Sequence, residues 1–278
     1  MAKTRVVVTG ATGFVGRHVR RHLRNGDVEI SSVSRRDFKT FQNEQSIITK
    51  SYDSDLLPRI QNHDALIHLI GIGSQSIGHD FDSVNFELTK KITGLCVRAD
   101  IKKIVYLSGL GVSRHSPLGY FLSKYKAENE IRNSGLDFTI FRPSYIVGKD
   151  DLLTKKLNRQ IRRGLVTIPG SGRFCIQPVS ISDASKIICD SITGKKFSNK
   201  ILDLVGPETV TFEDYVRRFL GTAKIDIKKI PFEKAYHDAV SGVGDFGVDD
   251  LNLLAGDFHG DPRRLEDAWG TRLCSPFY

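Results

Sequence analysis

Residues 5–16 read RVVVTGATGFVG. The valine run is apolar on both parities, as in a strand covered on both faces, and it ends on Gly10, with Gly13 and Gly16 following at three-residue steps. The chain then runs into GFVGRHVRRHLRNG, whose apolar residues recur at helical spacing up to a closing glycine. A glycine triplet between a buried strand and a helix is the fingerprint of a dinucleotide turn. Gly10 permits the tight turn, Gly13 lets the backbone approach a pyrophosphate, and Gly16 allows close helix–strand packing. The helix N-terminus offers free N–H groups and a partial positive charge to the phosphates, with Thr12, Phe14 and Val15 in the same turn. A purely structural glycine turn is the alternative reading.

Outward from this turn the same alternation repeats. VEISSVS, ALIHLIG, KIVYLSG and DFTIFRPS read as buried strands, and FDSVNFELTKKITGLCVRAD and SKYKAENEIRNSG as helices. Alternating units imply an α/β protein with a parallel, doubly wound sheet and helices on both faces. After Gly148 the rhythm changes. KDDLLTKKLNRQIRRG reads as an amphipathic helix, VTIPGSGRFCIQPVS as a loop or hairpin, ISDASKIICDSITG as a helix, and KILDLVGPETVTFEDYVRRFLG as a strand followed by a helix opened by Thr211. The expected organisation is a nucleotide-binding core over residues 1–148 and a small C-terminal α/β lobe over 149–278, with about 174–205 returning to the main sheet.

The end of VEISSVS bears on the nucleotide. A site for NAD places a carboxylate there, about 20 residues after the glycine turn, to take the ribose 2′-hydroxyl; here the chain reads Ser34, Arg35, Arg36. An arginine pair grips a 2′-phosphate that a carboxylate would repel, so NADP(H) is expected, with Asp37 keeping NAD(H) as the alternative. Asp53 is the candidate partner of the adenine amino group, or else a solvated turn aspartate. In HLIGIGSQS, Gly71 and Gly73 let the backbone, with Ile70 and Ile72, pass beside the ribose and pyrophosphate, or else serve loop flexibility alone.

Bulk properties exclude several classes. Four scattered cysteines, without a paired spacing or histidines at ligand distance, indicate neither a disulfide framework nor a metal site. No stretch approaches the roughly 18 apolar residues of a membrane span, and a cytosolic, cytoplasmic protein is expected. The net charge of +9 is uneven: residues 224–278 hold seven Lys/Arg against ten Asp/Glu, a net of −3, which leaves +12 on residues 1–223. Such a surplus suits phosphate-bearing ligands, but no recognition helix or RNA-binding motif accompanies it, and no nucleic acid is expected. Lys155, Lys156, Arg159, Arg162 and Arg163 make a basic face on helix 150–163. That face is either solvated or a dock for an anionic substrate, a peripheral membrane surface or an acidic protein partner.

Taken in order, TGATGFVG, VNFELTK, IVYLSGLG, YFLSK, IFRPSYIVG and QPVSISDAS resemble the extended and atypical short-chain dehydrogenase/reductase superfamily, which includes epimerase/dehydratase-like enzymes. Within it the chain is similar to the branch holding the NAD(P)-binding accessory subunit of respiratory complex I and the NmrA-like nucleotide sensors. The resemblance covers about residues 4–205 and, more loosely, the tail DFGVDDLNLLAGDFHGDPRRLEDAWG. It implies a Rossmann core, a C-terminal substrate lobe, an NAD(P)-dependent oxidoreductase or epimerase-like activity on a small-molecule substrate, or a non-catalytic nucleotide scaffold or sensor. Tyr120 and Lys124 would be the catalytic pair, Asn85 would line the cofactor site, and Pro143, Ser144, Tyr145 and Ile146 would face the nicotinamide. Four residues apart on a helix, Tyr120 and Lys124 share a face, and a nearby ammonium is expected to draw the tyrosine pKa down toward working pH.

The pattern departs at LSGLGV. Active relatives carry a Ser or Thr hydroxyl where this chain has Leu110, which leaves Ser108, or else Ser113 or a loop residue, to polarise a substrate oxygen. Loss of one such donor costs about 100- to 1000-fold in rate.

Overall fold

The computed structural model describes residues 3–277. Strands β1 (Thr4–Thr9), β2 (Val28–Ser34), β3 (Glu44–Ile48), β4 (Ala65–His68), β5 (Lys103–Leu107) and β6 (Asp137–Pro143) lie parallel in the order β6-β5-β4-β1-β2-β3. They are joined through α1 (Phe14–Leu23), α2 (Leu57–Ile60), α3 (Leu88–Arg98) and α4 (Gly119–Arg132). The strand order reverses between β1 and β4, which opens a crevice at the carboxyl ends of the strands.

Side-chain alternation builds one core on each face. Val7, Leu66, Ile104 and Ile140 pack under Ile60, Ile92, Leu95 and Ile131 of α2, α3 and α4. Val6, Val8, Ile67 and Val105 pack on the other face with Val19 and Leu23 of α1.

Beyond Pro143 the elements are β7 (Ile146–Val147), α5 (Leu152–Arg162), β8 (Leu165–Pro169), β9 (Cys175–Ile176), β10 (Val179–Ser180), α6 (Ile181–Asp190), β11 (Lys200–Leu204), β12 (Val210–Thr211), α7 (Phe212–Leu220), β13 (Asp226–Ile230), α8 (Phe232–Val240), α9 (Val248–Leu254) and α10 (Arg263–Trp269). Strand β11 joins the main sheet beside β6, making seven parallel strands, and Ala184, Ile187 and Ile188 of α6 and Leu265 of α10 complete the α1 face. The remaining elements enclose a third core around Leu157, Ile168, Phe212 and Leu251. The architecture is the expected doubly wound Rossmann sheet. Thr211 caps α7 as its position suggested, accepting from Asp214 N, and Asp151 caps α5 by accepting from Thr154 N.

One local expectation is corrected, and two features are added to the sequence reading. VTIPGSGRFCIQPVS forms no hairpin, because β8 pairs parallel with β13 and β9 pairs antiparallel with β12. Strand β3 escapes apolar patterning because its first residue is Glu44, buried against Arg20. Arg20 of α1 is turned inward: its Nη2 lies 2.8 Å from Glu44 Oε2, and its guanidinium stacks 4.2 Å from the Phe38 ring centroid.

Candidate dinucleotide site

The glycine turn is packed to a tolerance that excludes side chains. Gly10 has φ +73°, and a Cβ there would stand 2.9 Å from the Leu69 carbonyl carbon. A Cβ on Gly16 would collide with the Gly10 carbonyl oxygen. Gly13 N donates to Gly10 O at 3.0 Å, and Gly13 is the N-cap of α1 with no side-chain cap of its own. The first amides of α1 are therefore open to an external anion, and the exposed Thr12 and Gly13 face it. A pyrophosphate fits this cradle.

The turn forms one end of a groove of about 1270 Å³. Ile70, Gly71 and Ile72 line it, as do Asp53 and, just past the ends of β2 and β3, Arg35 and Lys50. Arg36 is not part of its wall. The cause is register: β2 and β3 pair Ser34 with Ile48, which brings the residues just past both strands to the same end of the sheet. Lys50 thus takes the place expected of Arg36, and neither Arg35 nor Lys50 has an ion-pair partner among the described residues. Asp37 Oδ1 accepts from Phe38 N at 2.9 Å. Asp53 is exposed in the groove, its carboxyl held below the usual range by Ser51 and the Asp55 amide. Phe14 and Val15 lie on the protein side of the turn, Phe14 edge-on to His18 and Val15 against the sheet.

The opposite wall is organised by Asn85, which sits fully buried in a π-helical turn, Asp82–Glu87, ahead of α3. Single π-turns inside helices recur at functional sites. Asn85 Oδ1 accepts from Ile72 N at 2.8 Å, and its Nδ2 donates to Ile72 O at 3.1 Å and to Ser123 Oγ at 3.2 Å. Neither Lys124 nor Tyr120 lines the groove itself; Lys124 stands behind Gly71, where a Cβ would lie 2.8 Å from Lys124 Nζ and 3.2 Å from Asn85 Oδ1. The ammonium donates to Leu107 O at 3.0 Å and sits 4.9 Å from the Tyr106 ring centroid. Burial brings its pKa down to about 8, against the opposing pull of Glu128.

Tyr120 lies one helical turn earlier, edge-on to Phe81 and Phe121, and a Cβ on Gly109 would stand 2.9 Å from its hydroxyl. Burial pushes its pKa up to about 12. The expected lowering by Lys124 is reversed, because the phenolate would be desolvated among aromatic rings while the lysine is itself less readily charged.

Ser108 is turned away from Tyr120. Its hydroxyl donates to Glu128 Oε1 at 2.6 Å, and Glu128 is clamped by Arg142, with Nε to Oε1 at 2.9 Å. Leu110 donates its amide to Pro143 O at 2.8 Å. Ser144 Oγ donates to Phe258 O at 3.1 Å, Tyr145 is shielded and its pKa raised by burial, and Ile146 lies in β7 beside Val179. Two basic residues of the 150–163 segment are paired within the chain, Lys156 of α5 with Asp250 and Arg163, just past α5, with Asp245.

Comparison with known proteins agrees with this geometry. A family model described as NAD(P)H-binding matches residues 10–164, more than half of the chain. The chain is 25% identical over 246 residues to NADH dehydrogenase [ubiquinone] 1 alpha subcomplex subunit 9, mitochondrial, of Dictyostelium discoideum, covering 84% of this chain and 68% of that protein. It is 24% identical over 225 residues to the protein of the same name from Rattus norvegicus, covering 77% of this chain but 60% of that one. Among solved structures, the NADPH-dependent quinone oxidoreductase QOR2 of Escherichia coli complexed with NADPH superposes with a TM-score of 0.77 at 18% identity, over 98% of this chain and 97% of that one. MoeE5 in complex with UDP-glucuronic acid and NAD superposes with a TM-score of 0.78 at 17% identity, over 98% and 94%. The chain belongs to the NAD(P)H-binding family whose model it matches, within the extended short-chain dehydrogenase/reductase superfamily.

Proposed function

We propose that the chain is an NADP(H)-dependent oxidoreductase in which Tyr120 donates the proton that a substrate carbonyl oxygen takes up on reduction. The observation that carries this reading is the placement of Lys124 Nζ beside the Gly71 backbone on the groove wall, on the helix face it shares with Tyr120. Bound dinucleotide would supply or accept the hydride. Lys124 holds the ribose hydroxyls, and Arg35 with Lys50 holds a 2′-phosphate. At neutral pH Tyr120 is a phenol, so its proton is available; the phenolate left behind is the costly state, and the Lys124 charge one turn away lowers that cost.

A second reading, a non-catalytic scaffold that holds NADP(H), is favoured by one pair of observations: Leu110 supplies no hydroxyl, and Ser108 is committed to Glu128. Titration with NADPH and NADH, followed by turnover with carbonyl substrates, separates the two. NADPH is expected to bind at least tenfold tighter than NADH, with Arg35→Ala and Lys50→Ala reducing that ratio and Arg36→Ala leaving it unchanged. Turnover that persists in Tyr120→Phe would remove Tyr120 from the mechanism, and tight NADPH binding without turnover would establish the scaffold.

A further inference from the structure

A buried polar relay joins the strand end before the glycine turn to the opposite wall of the groove. Thr9, His68, Thr89 and Asn85 are each fully buried. Thr9 Oγ1 lies 2.7 Å from His68 Nδ1, and His68 Nε2 lies 3.0 Å from Thr89 Oγ1. The Thr89 hydroxyl donates to the Asn85 main-chain carbonyl, one turn back on the same helix, at 2.7 Å. A hydroxyl has one proton, so Thr89 Oγ1 can only accept from His68, which places the imidazole proton on Nε2 and leaves Nδ1 to accept from Thr9. Donation therefore runs one way, from Thr9 through His68 and Thr89 to Asn85.

Burial, with the Lys124 charge acting in the same sense, holds the imidazole pKa down at about 3, so the ring stays neutral. Thr89 thus ties down the backbone turn that carries Asn85, and the Asn85 side chain holds both backbone groups of Ile72 and Ser123, whose hydroxyl donates to the Tyr120 carbonyl at 2.7 Å. The His68 ring also stacks 5.6 Å from Tyr106, the ring that carries Lys124 Nζ.

We propose that His68 is a positioning residue for dinucleotide binding, which fixes through Thr89 and Asn85 where the Gly71–Ile72 backbone stands against the groove. The inference rests on dinucleotide binding by this groove, and it assigns the working contact to the Nε2 arm rather than to the Thr9 arm.

The test compares NADPH and NADH dissociation constants with thermal unfolding midpoints in the full chain. His68→Gln can place an amide donor near Nε2 and is expected to stay within about threefold of the wild-type Kd; His68→Asn reaches only toward Thr9 and is expected to bind about tenfold more weakly. Both should lose similar thermal stability. Thr89→Val should weaken binding like His68→Asn, Thr89→Ser should restore it, and Thr9→Val should leave it within threefold; these three keep the test available if the His68 variants do not fold. Equal affinities for His68→Gln and His68→Asn at equal loss of stability would make His68 merely structural and overturn the proposal, as would a Thr9→Val defect equal to that of Thr89→Val. A wild-type chain that binds neither nucleotide would overturn the dinucleotide reading itself, visible before any variant is made.

Discussion

Tyr120 and Lys124 occupy one helix face, and burial drives both toward their neutral forms. For Lys124 this has a measurable sign. The ammonium is the form that donates to ribose hydroxyls, and it predominates below its folded pKa of about 8. As pH rises through 8 the free protein loses that proton, so dinucleotide affinity should fall, by up to about tenfold per pH unit. Binding titrations at pH 7 and pH 9 check this: the wild type should weaken between them, while Lys124→Met should be weaker throughout and flat. A flat wild-type profile would mean that Lys124 does not bind the cofactor in its charged form. The pair itself was legible from a four-residue spacing and its flanking motifs. The direction of the Tyr120 shift was not, because it comes from Phe81, far back in the chain, as well as from its neighbour Phe121. The engagement of Ser108 was hidden in the same way, since Glu128 of α4, itself held by Arg142 of β6, meets it only in the folded chain.

At the scale of the element, the unit β1–turn–α1 is where local sequence says most. Three glycines, a buried strand and a helix start leave one arrangement, and a Cβ at Gly16 has no room against the Gly10 carbonyl. Gly16→Ala is expected to destabilise the fold by about 1–3 kcal/mol through overpacking and to weaken dinucleotide binding at least tenfold by shifting the α1 N-terminus. Chemical denaturation and nucleotide titration of the same variant would show both; a variant with wild-type affinity would separate the turn from the ligand. Strand β3 shows the limit of patterning. Its buried Glu44 reads as polar, and the Arg20 guanidinium from α1, with the Ser32 hydroxyl and the Phe41 amide, makes that burial tolerable. The π-turn at Asp82–Glu87 carries no sequence mark, since its extra residue is stabilised by what Asn85 meets, the Ile72 backbone and Ser123.

Across the whole molecule, the acidic C-terminal segment ties the third core to the elements of the main sheet. Asp249 accepts from Gln75 N at 2.8 Å beside the groove loop, Asp250 pairs with Lys156, and the Phe258 ring would lie 2.6 Å from a Cβ on Gly111, close under Phe121. The segment therefore neutralises part of the basic face of α5 from within the chain. Asp250→Asn should lower stability by about 1–2 kcal/mol, because Lys156 is largely buried and Asp250 also accepts from Gly247 N at 2.7 Å. Asp245→Asn should cost less than about 0.5 kcal/mol, because Arg163 is exposed. Urea unfolding of the two variants decides the order, and equal effects would mean that the segment contributes no ordered contact at Asp250. Sequence alone determined the parallel sheet, the glycine cradle and the helix that carries Tyr120 and Lys124, because strand and helix periods and glycine requirements are local. Tertiary structure decided that Lys50 joins Arg35, that Ser108 faces Glu128, and that the acidic tail answers the basic helix, because each depends on residues the chain brings together only by folding.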